Sequence, residues 1–165
     1  MYSKLLHVGW RDVDANGHMR NTAYLDLAAD TRMFYFAENG FPSREFARLG
    51  VGPVIRQDTI EYRREFHMLD RIEVTHALEG LSPDAARFTI INEFVRPDGQ
   101  VAARVLSSGG WLDLQARELV VPPPSLALVL LAAPRTATFA ELPGLTSGGR
   151  PPSSRPSGFL RILYS

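Results

Sequence analysis

Between Trp10 and Tyr24 the chain reads WRDVDANGHMRNTAY, which gathers Asp12, Asp14, Asn16, Gly17, His18 and Asn21 into one short stretch. Residues of these kinds can support attack on a carbonyl carbon. Asp14 can activate a water molecule or attack directly. Asn16 adds a hydrogen-bond donor and His18 an imidazole that can exchange a proton. Gly17 lets backbone come close to a substrate. A helix starting just after this stretch would present unpaired backbone N–H groups, with partial positive charge, to an oxygen that turns negative during the reaction. The same residue types are also what helix caps and tight turns select, and on physics alone that structural role is the commoner one. For Asp12 it is the preferred one: an acceptor for loop amides.

The elements that must position these groups follow from periodicity. From Asn21 to Glu38 the apolar residues Tyr24, Leu27, Ala28, Phe34 and Tyr35 recur at helical spacing, with Leu25, Ala29, Met33 and Phe36 on much of the remaining surface. This predicts a long, largely buried helix, stopped by Asn39, Gly40 and Pro42. A short strand over Leu5 to Trp10 precedes it and a second helix, near Ser43 to Leu49, follows. The period then changes to two: Ile60, Tyr62 and Phe66 mark one strand, Ile72, Val74 and Leu78 a second, Phe88, Ile90 and Phe94 a third. RPDGQ at 96–100 is a tight turn into a fourth, from Val101 to about Leu112. Strands joined so tightly are antiparallel. The class is α+β, a curved antiparallel sheet around a long helix. A short closing helix fits VVPPPSLALVLL, with proline in its first turn.

Composition narrows the function. The 165 residues make one domain, expected over 1–132, followed over 133–165 by a low-complexity, disordered extension rich in Pro, Gly and Ser. Eighteen basic and eighteen acidic side chains balance, which argues against nucleic acid or anionic membrane as partner. Without cysteine there is no disulfide, thiolate metal site or cysteine nucleophile. His7, His67 and His76 have no second ligand at a recognised metal spacing, so the expectation is no metal, with structural or surface roles for these histidines. The N-terminal apolar run is too short for a signal peptide or a membrane span, which predicts a cytoplasmic protein.

The run from Asp12 to Tyr24 resembles the D-x-D-x-x-G-H-V-N-N-x-x-Y signature of hotdog-fold thioesterases, the group of 4-hydroxybenzoyl-CoA thioesterase-like and acyl-ACP thioesterase-like proteins. Asp12, Asp14, Gly17, His18, Asn21 and Tyr24 match it, whereas Met19 and Arg20 depart from it. IEYRREFHMLDRIEV at 60–74 is similar, more loosely, to the family's Y-x-R-P-x-x-x-G-D segment, with Arg64 and Glu65 in place of Arg-Pro; GGWLDLQARELVVPPP at 109–124 is similar to its last strand and exit. The resemblance covers about residues 3–131. It implies the hotdog fold and hydrolysis of an acyl thioester, with Asp14, Asn16 and His18 catalytic and Gly17, Asn21 and Tyr24 binding substrate. Coenzyme A or acyl carrier protein would enter as part of the substrate, no separate cofactor is expected, and a homodimer or a tetramer of dimers is. Two other readings stay open: a hydratase or dehydratase acting on acyl thioesters, and a thioester-binding protein without catalysis.

Overall fold

The computed structural model describes residues 1–145. In chain order the elements are β1 Tyr2–His7, α1 Asn21–Glu38, α2 Ser43–Leu49, β2 Val51–Tyr62, β3 Arg71–Leu81, β4 Arg87–Val95, β5 Val101–Asp113, β6 Leu119–Val120, α3 Pro124–Leu131 and β7 Arg135–Glu141. They form one sheet in the order β1-β3-β4-β5-β2, with β6 added to β5 and β7 to β3. All pairings are antiparallel except that of β7 with β3. The α+β class, with the sheet set against one long helix, is as expected.

Helix α1 keeps its expected bounds because local signals at its far end agree. Gly40, at φ +87°, allows the left-handed exit, and the Phe41 and Gly40 amides donate to Phe36 O and Ala37 O at 2.8 and 3.3 Å. Burial corrects the sequence reading, however. In the single chain only the stripe Ala23, Tyr24, Ala28, Thr31, Tyr35 and Phe36 is buried, while Leu25, Leu27 and Met33 are half-buried and Phe34 is exposed. The sheet covers one side of the helix, so apolar residues on the rest of its circumference make the segment look buried all round without meeting a partner in the same chain.

Two apolar clusters lie between helix and sheet. Around the C-terminal half of α1, Tyr35 and Phe36 pack with Phe41, Phe46, Phe88 and Trp111. Around the N-terminal half, Ala23, Tyr24 and Ala28 meet Val8, Phe66, Val74, Phe94 and Val105. Each large side chain so buried contributes about 1.5–3 kcal/mol. Two of the aromatic side chains carried inside also hold polar groups that are bonded: Tyr35 Oη donates to Val129 O at 2.9 Å, linking α1 to α3, and Trp111 Nε1 donates to Ala85 O at 3.0 Å.

Three further corrections concern strands. β1 lies at Tyr2–His7 rather than Leu5–Trp10, because Trp10–Asp12 forms a 3-10 turn. The strand expected at Ile60–Phe66 begins instead at Val51 and ends at Tyr62. Its middle is largely exposed and its register slips between Ile55 and Gln57, so burial never alternates long enough to show in the sequence. Pairing with β5 holds it, and there Gly109 is required: a Cβ at that position would lie 2.1 Å from Val54 O. Finally, the extension expected to be disordered from residue 133 opens with β7, where Thr136 and Thr138 hydroxyls donate to Glu79 at 2.6 and 2.7 Å. RTATFAE holds the β-branched Thr136 and Thr138 and the aromatic Phe139, residues that strands favour, a signal that the Pro/Gly-rich composition downstream obscured. The rest of that extension, 146–165, lies outside the described residues. Among the described residues no helix is long and apolar enough to cross a membrane.

Candidate active site

The stretch before α1 folds into a small closed loop. Val13 and Met19 face each other in an antiparallel bridge, Asp14 N donates to His18 O at 2.9 Å, and Gly17 N donates to Asp14 O at 3.0 Å. Gly17 sits at φ +79° with open space around the position of a Cβ, so the turn itself is what requires glycine there. Asp14 Oδ1 accepts the Asn16 and His18 amides at 2.8 and 3.2 Å, which fixes the carboxylate on its own loop. Asp12 behaves as expected and takes a loop amide, Gly9 N, at 2.8 Å. Neither aspartate caps α1. Arg20 occupies the cap position and provides no side-chain cap.

This loop is pressed onto the segment that follows β2. Met19 N donates to Phe66 O at 2.7 Å, and His18 faces His67 across an antiparallel bridge. Between the two segments and the first turn of α1 opens a cleft of about 900 Å³. Of the predicted site residues, Asp14, His18, Asn21 and Tyr24 line it. Asn16 and Gly17 lie outside its lining and act on it through the turn that holds Asp14. Asn21 Oδ1 accepts the Thr22 amide at 2.9 Å, which leaves its NH₂ group as the donor. Tyr24 is buried against Phe94 and Tyr62, at ring separations of 5.1 and 5.3 Å. Burial first, and then the neighbouring Tyr62 and Glu65, push its phenol up to about 12, so Tyr24 is a protonated hydroxyl at neutral pH.

The cleft also contains residues outside the predicted set: Tyr62, Arg63, Arg64, Glu65, Arg96 and Gln100. Arg63 and Arg64 are visible in the sequence as basic residues, but arginines alternating along a strand are commonly solvated. Only the folded chain separates them from Arg71, which stays outside the cleft. Arg96 arrives from the β4–β5 turn and donates to Glu65 O at 2.8 Å. No local signal connects that turn to Asp14. Arg20, which departs from the resembled motif, bonds to Arg11 O at 2.9 Å and to the side chains of Thr22 and Asp26, and it too stays outside the lining.

Comparison with known proteins bears on the family and the fold. A family model described as the thioesterase-like superfamily matches residues 8–130. No curated protein matches the sequence. Among solved structures, the fold is similar to a hypothetical protein of Aquifex aeolicus, at 22% identity and TM-score 0.73, over 79% of this chain and 99% of the other. It is also similar to a hypothetical Staphylococcus aureus protein in complex with CoA, at 18% identity and TM-score 0.73, over 84% and 88%. A 1,4-dihydroxy-2-naphthoyl-CoA thioesterase from Synechocystis aligns at 16% identity and TM-score 0.71, over 79% and 96%. At such identities the likeness is one of fold, and that fold is the hotdog architecture expected from the sequence.

Proposed function

The chain belongs to the thioesterase-like superfamily, and from that membership we propose that it hydrolyses acyl thioesters with Asp14 at the reacting centre. The observation that carries this reading is the single cleft that unites Asp14, His18, Asn21 and Tyr24 at the entrance of α1. The thioester carbonyl would lie against the first turn of the helix, where the cap residue Arg20 provides no side-chain cap, the Thr22 amide being taken by Asn21 Oδ1, and where the partial positive charge of the helix end can steady a developing oxyanion. Asp14 either takes a proton from water as water adds to the carbonyl carbon, or adds to it directly and is released by water afterwards. In both routes the C–S bond breaks, the thiol leaves with a proton, and a carboxylic acid remains.

The other residues serve that step. His18 and the Tyr24 hydroxyl orient substrate or water, and Asn21 offers an amide donor to the acyl group or its carrier. Asn16 and Gly17 are positioning residues, because the turn they complete holds the Asp14 carboxylate. The carrier is coenzyme A in this proposal. Arg63 and Arg64 on the rim suit its phosphates, and a neighbour of the same fold is bound to CoA. The chemistry uses the chain's own groups and needs no cofactor. A cytoplasmic homodimer completes the proposal: β2 ends the sheet with a twelve-residue edge, long enough to need covering by a second strand.

The test is thiol release from short, long and aromatic acyl-CoAs, with the unaltered protein beside Asp14→Asn. Asparagine keeps the acceptor for the two loop amides but has neither base nor nucleophile to offer. Turnover should fall by roughly 10²–10⁴-fold in a variant whose circular dichroism is unchanged. Equal turnover in the two proteins would remove Asp14 from the reaction. Silence of both folded proteins toward every substrate would overturn hydrolysis of acyl-CoA and turn attention to carrier-protein thioesters or to binding alone.

A further inference from the structure

We infer that His18, Glu65 and His67 form a binding site for a divalent transition cation of the zinc class. Each offers one ligand atom, and the three atoms lie within 4.8 Å of one another. The backbone creates this proximity. His18 and His67 are opposite residues of an antiparallel bridge, so their side chains leave the same face of two adjoining segments, and their ring centroids are 5.2 Å apart. Glu65, two residues before His67, points to the same side, with Oε2 3.2 Å from His18 Nε2.

The spacing suits a metal. Ligand atoms about 2.0–2.1 Å from a tetrahedral zinc ion stand roughly 3.3 Å from one another. The His18–Glu65 pair already has that separation, and His67 closes the third side by rotation of a half-exposed side chain. Behind His67 stands a further carboxylate. Asp70 Oδ2 accepts the His67 backbone amide at 2.8 Å and lies 3.8 Å from its Nδ1, the place of the partner that orients a metal-bound imidazole and leaves Nε2 for the ion. Two imidazoles and one carboxylate favour zinc, cobalt or nickel over magnesium and calcium, which take oxygen ligands, and over copper(I), which takes thiolates. Three protein ligands leave one position toward the cleft for water or another donor.

The inference stands apart from the hydrolase reading, since it rests on ligand geometry alone. It reverses the expectation of no metal, which relied on spacing along the chain. These ligands come from two segments distant in sequence, and only the bridge joins them.

Cobalt(II) tests it, because a four-coordinate site with nitrogen ligands gives a visible absorption band and zinc should displace the ion. The full chain without an affinity tag is titrated beside His67→Ala, Glu65→Gln and Asp70→Asn, with His7→Ala as the control. One cobalt per chain is expected, unchanged in His7→Ala. Affinity should fall roughly 10–100-fold in Asp70→Asn and by more in His67→Ala. Glu65 is exposed, so Glu65→Gln keeps the test decisive if His67→Ala does not fold. The proposal is overturned by the absence of a band at millimolar cobalt, or by affinities that the three site variants leave unchanged.

Discussion

The two ends of α1 are built for different tasks. At its C-terminal end the helix enters an aromatic cluster in which Phe36 meets Phe46 and Trp111 edge-on, at ring separations of 5.7 and 5.8 Å. Two of its buried polar side chains bond across the cluster, Tyr35 to Val129 and Trp111 to Ala85. At its N-terminal end the helix packs Ala23, Tyr24 and Ala28 against Phe66, Val74 and Phe94 on one side and meets, on the other, a loop whose polar groups are bonded to their own backbone, with the cleft beside it. Closed packing gives stability. The open end is packed on its sheet side and keeps a carboxylate and an imidazole on a cleft beside the first turn of the helix.

That division is open to experiment. Trp111→Ala strikes the closed end and should cost about 3–5 kcal/mol of unfolding free energy, read from urea midpoints. Asp14→Asn, the substitution that tests the proposed reaction, should leave the same midpoint within about 0.5 kcal/mol. A large loss of stability at Asp14 would show that the two ends are not separate.

His76 offers a finer test of the closed end. It is fully buried, stacked on Tyr35 at 4.6 Å and edge-on to Tyr2, and neither ring nitrogen has a hydrogen-bond partner. Burial first, and then the charge of Arg32, lower it from 6.5 to about 3. Above pH 6.5 it is neutral in both folded and unfolded chains and has no effect on the pH dependence. As the pH falls from 6.5 toward 3, the unfolded chain takes up a proton that the folded one refuses, so stability is lost over that window. The slope is at most about 1.4 kcal/mol per pH unit. His76→Leu should flatten it by one proton, measured as urea midpoints between pH 7 and 4. Parallel slopes in the two proteins would mean that His76 is hydrated or charged in the folded chain, and the closed end therefore less closed.

The smallest effect is expected at the open end. Leu69 holds φ +70° on an exposed turn, where the resembled segment has glycine. Leu69→Gly should raise stability by about 1 kcal/mol, because the left-handed conformation penalises a side chain by about that much. An unchanged midpoint would mean that the turn carries no strain.

Much of the site was legible because its central parts are neighbours in sequence. Asp14, His18, Asn21 and Tyr24 lie within one loop and the first turn of one helix, and local hydrogen bonds alone fix their relative order. The opposite wall was not legible. Glu65 and His67 follow a strand whose pattern is mostly exposed, and Arg96 belongs to a tight turn that would look the same on any hairpin. Their place beside Asp14 depends on Met19 bonding to Phe66, a contact that no periodicity encodes.

By itself, then, the sequence determined what short-range forces control: the span of α1 from Asn21 to Glu38, its glycine exit, the alternation of β4, and the turn that holds Asp14. Tertiary structure alone decided that β2 pairs with β5 and β7 with β3, that α1 buries only one stripe, and that His18 meets His67. The reason is physical. Capping, turn geometry and helical period act over a few residues, whereas strand partners and register are selected by the burial that the whole sheet achieves at once.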